Sequence, residues 1–97
     1  MSALGQGGNR VIVTVLGKDQ VGIIAWISTV LAGHNANILD ISQTILQEFF
    51  TMIMIVDLSA ASLEFNELRE ILASQGDIRG LKVTMQHEDV FQFMHRI

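Results

Sequence analysis

The chain has 97 residues, 49% of them hydrophobic, with ten acidic residues against six basic ones and no cysteine. That composition argues for one packed domain, burying roughly 60–70% of its unfolded surface, and excludes disulfides and thiolate chemistry. Arg10, Lys18, Arg69, Arg79, Lys82 and Arg96 never cluster and the net charge is −4, so neither a nucleic-acid footprint nor attraction to an anionic membrane is expected.

Residues 1–9, with three glycines, read as a mobile arm with no assigned function. Arg10 to Leu16 (RVIVTVL) is short and β-branched, a strand, and Gly17 to Gly22 (GKDQVG) is a polar turn. From Ile23 to Asn35 apolar residues recur at helical spacing. Ile24, Ile27 and Leu31 form one stripe and Ile23, Trp26 and Val30 a second, with Asp19 as N-cap and Gly33 near the frayed end. A helix apolar nearly all round needs cover beyond its own sheet, which points to a homodimer or to the chain's own C-terminal residues.

Asn37 to Glu48 alternates as a half-buried strand, with Leu39, Ile41 and Ile45 on one face and Asp40, Ser42 and Thr44 on the other. Phe49 to Leu58 (FFTMIMIVDL) is apolar on both faces, as an interior strand should be. The turn between them has no Asn-Gly or Asp-Gly signal and is placed by the change of pattern alone. A second helix begins at Ser59 or Ser62, carries the stripe Phe65, Leu68, Ile71 and Leu72, and ends with Gly76 in the left-handed conformation. Leu81, Val83 and Met85 alternate with Lys82, Thr84 and Gln86 in a fourth strand, and Val90 to Ile97 leaves room for a short closing helix. The order βαββαβ predicts an α+β, ferredoxin-like sandwich: a four-stranded antiparallel sheet with two helices on one face.

The chemistry expected of an enzyme is missing. No apolar run approaches the ~18–20 residues of a membrane span, and no secretion signal opens the chain. A cytoplasmic setting is therefore the expectation. No Ser, Thr or Lys has a base beside it in a recognisable nucleophile motif, so no catalytic residue is assigned. His34 reads as a solvated loop histidine. His87, Glu88, Asp89 and His95 match no metal-ligand spacing and read as a chance surface cluster, so no metal or cofactor is expected. Phe49 and Phe50 sit together beside Glu48 with no basic neighbour, unlike the stacking platform of an RNA-binding sheet.

One segment could hold a ligand. In Gly17-Lys18-Asp19-Gln20-Val21-Gly22 two glycines allow close backbone approach. The helix start behind them suits a carboxylate, and Asp19 could accept from an ammonium group. The alternative is that Asp19 only caps the helix and the glycines only shape the turn.

The run from Val13 to Ile24 (VTVLGKDQVGII) resembles the opening of the ACT domain family, a strand followed by (D/N)-x-x-G-(I/V) at the head of a helix. Asn37-Ile38 after Ala36, the run Asp40 to Thr44 with Phe50-Thr51-Met52, and the closing Phe91, Met94 and Ile97 are similar to the small stand-alone ACT proteins. They are similar also to the first ACT unit of the glycine cleavage system regulator. The resemblance covers residues 10–97 as a single ACT domain. It implies a ligand held between two subunits, touching Gly17, Asp19 and Gly22 in the turn and Ala36 and Asn37 at the second strand's start. Val21 stands where many ACT turns have proline, and Gly17 replaces the side-chain ligand of serine-binding relatives. The resulting expectation is a homodimer that senses an amino acid or related metabolite and signals to a partner protein. The alternative from another class is an assembly module with an empty groove.

Overall fold

The computed structural model describes residues 9–89. Its elements are β1 (Arg10–Lys18), α1 (Ile23–Gly33), β2 (Asn37–Leu46), β3 (Phe49–Asp57), α2 (Phe65–Ile78) and β4 (Leu81–His87). The strands form one antiparallel sheet in the order β2-β3-β1-β4, so β1 and β3 are interior and β2 and β4 are edges. This is the expected ferredoxin-like βαββαβ arrangement. The short closing helix expected after Val90, and the arm before Asn9, lie outside the described residues.

Alternation along the strands decides what is buried. Val11, Val13 and Val15 of β1, Phe50, Met52, Met54 and Val56 of β3, and Leu81, Val83 and Met85 of β4 point to the helices. There they pack with Ile23, Trp26, Ile27, Leu31, Leu68 and Leu72 in one core. The helix stripes differ from the expectation. Ile23, Trp26, Ile27 and Leu31 share the buried side of α1, whereas Ile24 is turned to the flank and 38% exposed. Trp26 is covered from within the chain: its Nε1 donates to Gln75 Oε1 at 2.7 Å, and the Arg79 guanidinium lies 4.6 Å from its ring centre.

Both ends of the helices also depart from the sequence reading. The N-cap of α1 is Gly22, at φ 91°, and no side chain caps it; Asp19 lies too far upstream and its carboxylate is not a cap. In α2 the cap is Glu64 rather than either serine, in a reciprocal capping box with Glu67. Ser59 instead donates to Asp57, and Ser62 donates to the His34 carbonyl. Gly76 is buried inside α2 and does not end it. A Cβ there would stand 2.6 Å from Val83 Cγ2, so glycine lets the helix lie close on β4, and the left-handed residue is Gly80 at φ 75°.

β2 is not half-buried. As an edge strand it is exposed along almost its whole length, and a bulge between Ile38 and Asp40 takes Leu39 out of the alternation. Beyond Leu39 the register holds: Ile41, Gln43 and Ile45 stand opposite Met54, Met52 and Phe50 on the helix side. The hairpin turn is Gln47-Glu48, with Gln47 at φ 57°. A left-handed glutamine carries no strong sequence signal, which is why the turn had to be placed from pattern.

Candidate functional site

β1 ends late, so the loop before α1 is only Asp19 to Gly22. It is fixed at two points. The Asp19 amide donates to the Glu48 carbonyl at 2.8 Å, and Gln20 Nε2 donates to the Arg79 carbonyl at 3.1 Å. The first binds the loop to the β2–β3 turn and the second to the end of α2. Val21 between them projects fully into solvent.

Beside this loop lies an open cleft of about 340 Å³, lined by Asp19, Gln20, Gly22, Ile23, Ile24 and Ala25 on one side and Gln43, Ile45 and Phe50 on the other. Its size is at the lower end of small-molecule sites. The helix start at its base has amides that no side chain caps. The Asp19 carboxylate accepts no hydrogen bond from any described residue. No lysine or arginine lines the cleft. An uncapped helix start and a free carboxylate a few residues apart offer a donor set for a negative group and an acceptor for a positive one.

Of the residues singled out in the sequence, the structure puts Asp19 and Gly22 together in this cleft. Gly17 is in β1, paired with Phe50 and Leu81, and is not part of the lining. A Cβ on it would meet Leu81 Cδ2 at 2.7 Å, so its glycine serves strand packing. Ala36 and Asn37 line a second hollow of about 340 Å³ with Ala32, Asn35 and Ala60. Asn37 stands level with Asp57 whereas the cleft stands level with Phe50, seven residues along β3, or roughly 23 Å. Within one subunit the two halves of the expected site are at opposite ends of the sheet.

Gln43, Ile24, Ile45 and Phe50 were not singled out as site residues. Gln43 had a legible signal: it interrupts the apolar phase Ile41-x-Gln43-x-Ile45. His34 and His87 stand apart among the described residues, and His95 lies outside them. His34 is the C-cap residue of α1, its carbonyl accepting from Ser62. His87 stacks on Phe65 at 4.2 Å while Glu88 pairs with Arg10 at 2.7 Å. Among the described residues no group of three or more His, Asp or Glu side chains is placed to hold a metal ion. Among the same residues no helix is long and apolar enough to cross a membrane.

A four-stranded antiparallel sheet carrying two helices in the order βαββαβ, with a glycine heading the first helix, defines the ferredoxin-like ACT class of domain. The chain belongs to the ACT domain family, whose profile matches residues 9–86, and within it to the UPF0237 group. It is 54% identical to the UPF0237 protein of Methanocaldococcus jannaschii, over 92% of this chain and 99% of that one. The UPF0237 protein of Clostridium acetobutylicum is 48% identical, over 91% and 99%. An ACT domain protein from Streptococcus pneumoniae superposes with a TM-score of 0.74 at 38% identity, covering 86% of this chain and 93% of that one. A formyltetrahydrofolate deformylase from Pseudomonas putida shares the fold alone, with a TM-score of 0.71 at 11% identity, over 79% of this chain and 28% of that one. A structure assigned provisionally as a glycine cleavage system transcriptional repressor also shares it, with a TM-score of 0.70 at 21% identity, over 79% and 44%.

Proposed function

We propose that this protein is a regulatory, amino-acid-sensing ACT protein that works as a homodimer in the cytoplasm and catalyses nothing itself. The observation that carries the reading is the pairing of a free Asp19 carboxylate with an uncapped helix start in a cleft without basic side chains. An α-amino acid brings an ammonium group for the first and a carboxylate for the second. A nucleotide or sugar phosphate would bring two or more negative charges and find no cation to meet them.

Dimerisation joins the two halves of the site. The exposed edge β2 has free backbone donors and acceptors, and on its helix side Ile41 and Ile45 are 40% and 51% exposed. Two β2 strands paired antiparallel with full overlap put Asn37 of one copy opposite Leu46 of the other, next to Ile45 at the cleft. The strand start at Ala36 and Asn37 would then stand at the rim of the site that Asp19 and Gly22 open, with Asn37 in phase with Asp57 and able to offer a donor and an acceptor around the strand edge. ACT domains typically bind small molecules, which agrees with this use of the cleft. The output would be a changed affinity for a partner protein, because ligand at the boundary alters how the two copies sit.

A thermal-shift screen of the purified protein against amino acids and nucleotides tests the reading. A ligand at a hundredfold excess over its Kd stabilises by about 2.7 kcal/mol per site. For a domain of this size that raises Tm by roughly 10 °C or more. Asn37→Ala should remove the shift at little cost to the unliganded protein. No shift from any amino acid would hand the lead to the assembly-module reading, in which the β2 edge only docks.

A further inference from the structure

We infer that Gln43 is the residue that reads the ligand's side chain, and that it selects a neutral amino acid ending in a carboxamide. This rests on the amino-acid-sensing reading and goes beyond it. On the helix-facing phase of β2 and β3 the other side chains are apolar: Gln43 stands opposite Met52, between Ile41 and Ile45, with Phe50 and Met54 on either side of Met52. At an edge-strand position a β-branched residue would fit the pleated surface better, and a glutamine loses more rotamer freedom when held. Gln43 is exposed, so water satisfies its amide in the free chain, and its place on this phase becomes costly only when something in the cleft excludes that water.

Gln43 lines the same cleft as Asp19, Gly22, Ile24 and Ile45. Among the described residues its carboxamide has no hydrogen-bond partner. The other amide of the cleft is already committed, since Gln20 donates to the Lys18 and Arg79 carbonyls. Gln43 is thus the free hydrogen-bonding group on the β2 wall, facing the helix start where the ligand's α-carboxylate would lie.

The chemistry of that group decides the class. A carboxamide offers an acceptor oxygen and donor N–H bonds and carries no charge. A carboxylate side chain would find no cation in the cleft and would be repelled by Asp19. An aliphatic side chain would leave the Gln43 amide unsatisfied once the ligand excludes water. A hydroxyl would return one hydrogen bond. A carboxamide returns two in a reciprocal pair, while its methylenes lie against Ile24 and Ile45.

Isothermal titration of the full chain with L-glutamine, L-asparagine, L-methionine, L-leucine and L-glutamate tests this. L-Glutamine or L-asparagine should bind wild type at least about tenfold more tightly than L-methionine, L-leucine or L-glutamate. Gln43→Leu should erase that preference, with its mass by light scattering unchanged. Gln43→Glu, which keeps the shape and loses the N–H donors, should also weaken carboxamide binding. If Gln43→Leu leaves L-glutamine and L-asparagine affinity unchanged while Asp19→Asn abolishes binding, the inference is overturned and the sensing role stands. Equal weakening of all ligands with a change of mass would overturn it too, making Gln43 an interface residue. If no amino acid binds wild type, both fall together.

Discussion

Gly22 is where the fold and the proposed site depend on the same atom count. It is the N-cap of α1 at φ 91° and ψ 6°, and a Cβ placed on it would meet nothing within 4 Å. The cost of Gly22→Ala is therefore backbone strain with no clash, about 1–2 kcal/mol for an L side chain in the left-handed region. Lower entropy of the unfolded alanine chain returns about 0.4–1 kcal/mol, leaving a net loss of about 1 kcal/mol. At this size each kcal/mol moves Tm by roughly 4–8 °C. Gly22→Asn should lose less, because asparagine tolerates that conformation and its side chain can cap the amides of the first turn. The pair is read by urea unfolding and by thermal melts without ligand. If Gly22→Ala is neutral, or if the asparagine variant is as damaged as the alanine one, the left-handed cap is wrong. The asparagine variant carries a second readout: a side chain that caps the helix start competes with the ligand's carboxylate and should weaken binding.

Ile41→Lys places a charge at the middle of the exposed β2 edge, where two copies would set like charges against each other. Light scattering at tens of micromolar should fall from about twice 10.7 kDa to a single chain, and a wild type already monomeric at that concentration would refute the dimer. Gly76→Ala gains about 1 kcal/mol of helix propensity but drives a methyl into Val83 Cγ2 at 2.6 Å, at a cost of about 1–3 kcal/mol. Urea unfolding should show it less stable than wild type, whereas Gly33→Ala, with open space around the new Cβ, should be neutral or better. The Asp57 carboxyl is held below the ordinary value of 3.8, first by the Ser59 hydroxyl and then by the Ser59 amide. A lowered folded-state pKa contributes stability that is present above that ordinary value and lost as pH falls through the folded one. The deficit of Ser59→Ala at pH 7 should therefore shrink as the solution is acidified below that value; a deficit constant with pH would show that the hydroxyl does not act on the carboxylate.

The element order and much of the core were legible because period-two and helical patterns report element type and which side chains point inward. Leu81, Val83 and Met85 were legible from their alternation with Lys82, Thr84 and Gln86, whereas the unbroken β-branched run of β1 does not by itself tell Val11, Val13 and Val15 from Ile12. What failed was what periodicity does not encode. Gly76 looks like a helix stop in the sequence, but the close approach of β4 makes it an interior contact. Asp19 looks like a cap, yet the helix starts one residue after a left-handed glycine and takes no side-chain cap. β2 reads as half-buried because its alternation is real, but burial also requires a neighbour. At the sheet's edge α1 leaves Ile41 and Ile45 uncovered.

The site had the same limit. Asp19, Gly22 and Asn37 were singled out by residue type and by resemblance, but nothing local reveals that roughly 23 Å separates the two groups within one chain. That separation constrains the function. If the proposed site uses both ends of β2, a second β2 running the other way would complete it, and the edge that assembles the proposed dimer would also be the wall of the cleft. Ile41 sits near the middle of that edge, and Gln43 and Ile45, on the same side of the strand, continue from it as the wall of the cleft. In the proposed dimer, a ligand that spans from Asp19 to Gln43 would therefore press on the strand that joins the two copies. On that proposal, a small ligand filling the cleft of about 340 Å³ would change the geometry of the dimer without moving the core. The edge position of β2, exposed and poorly covered by its own helix, is what makes that coupling available.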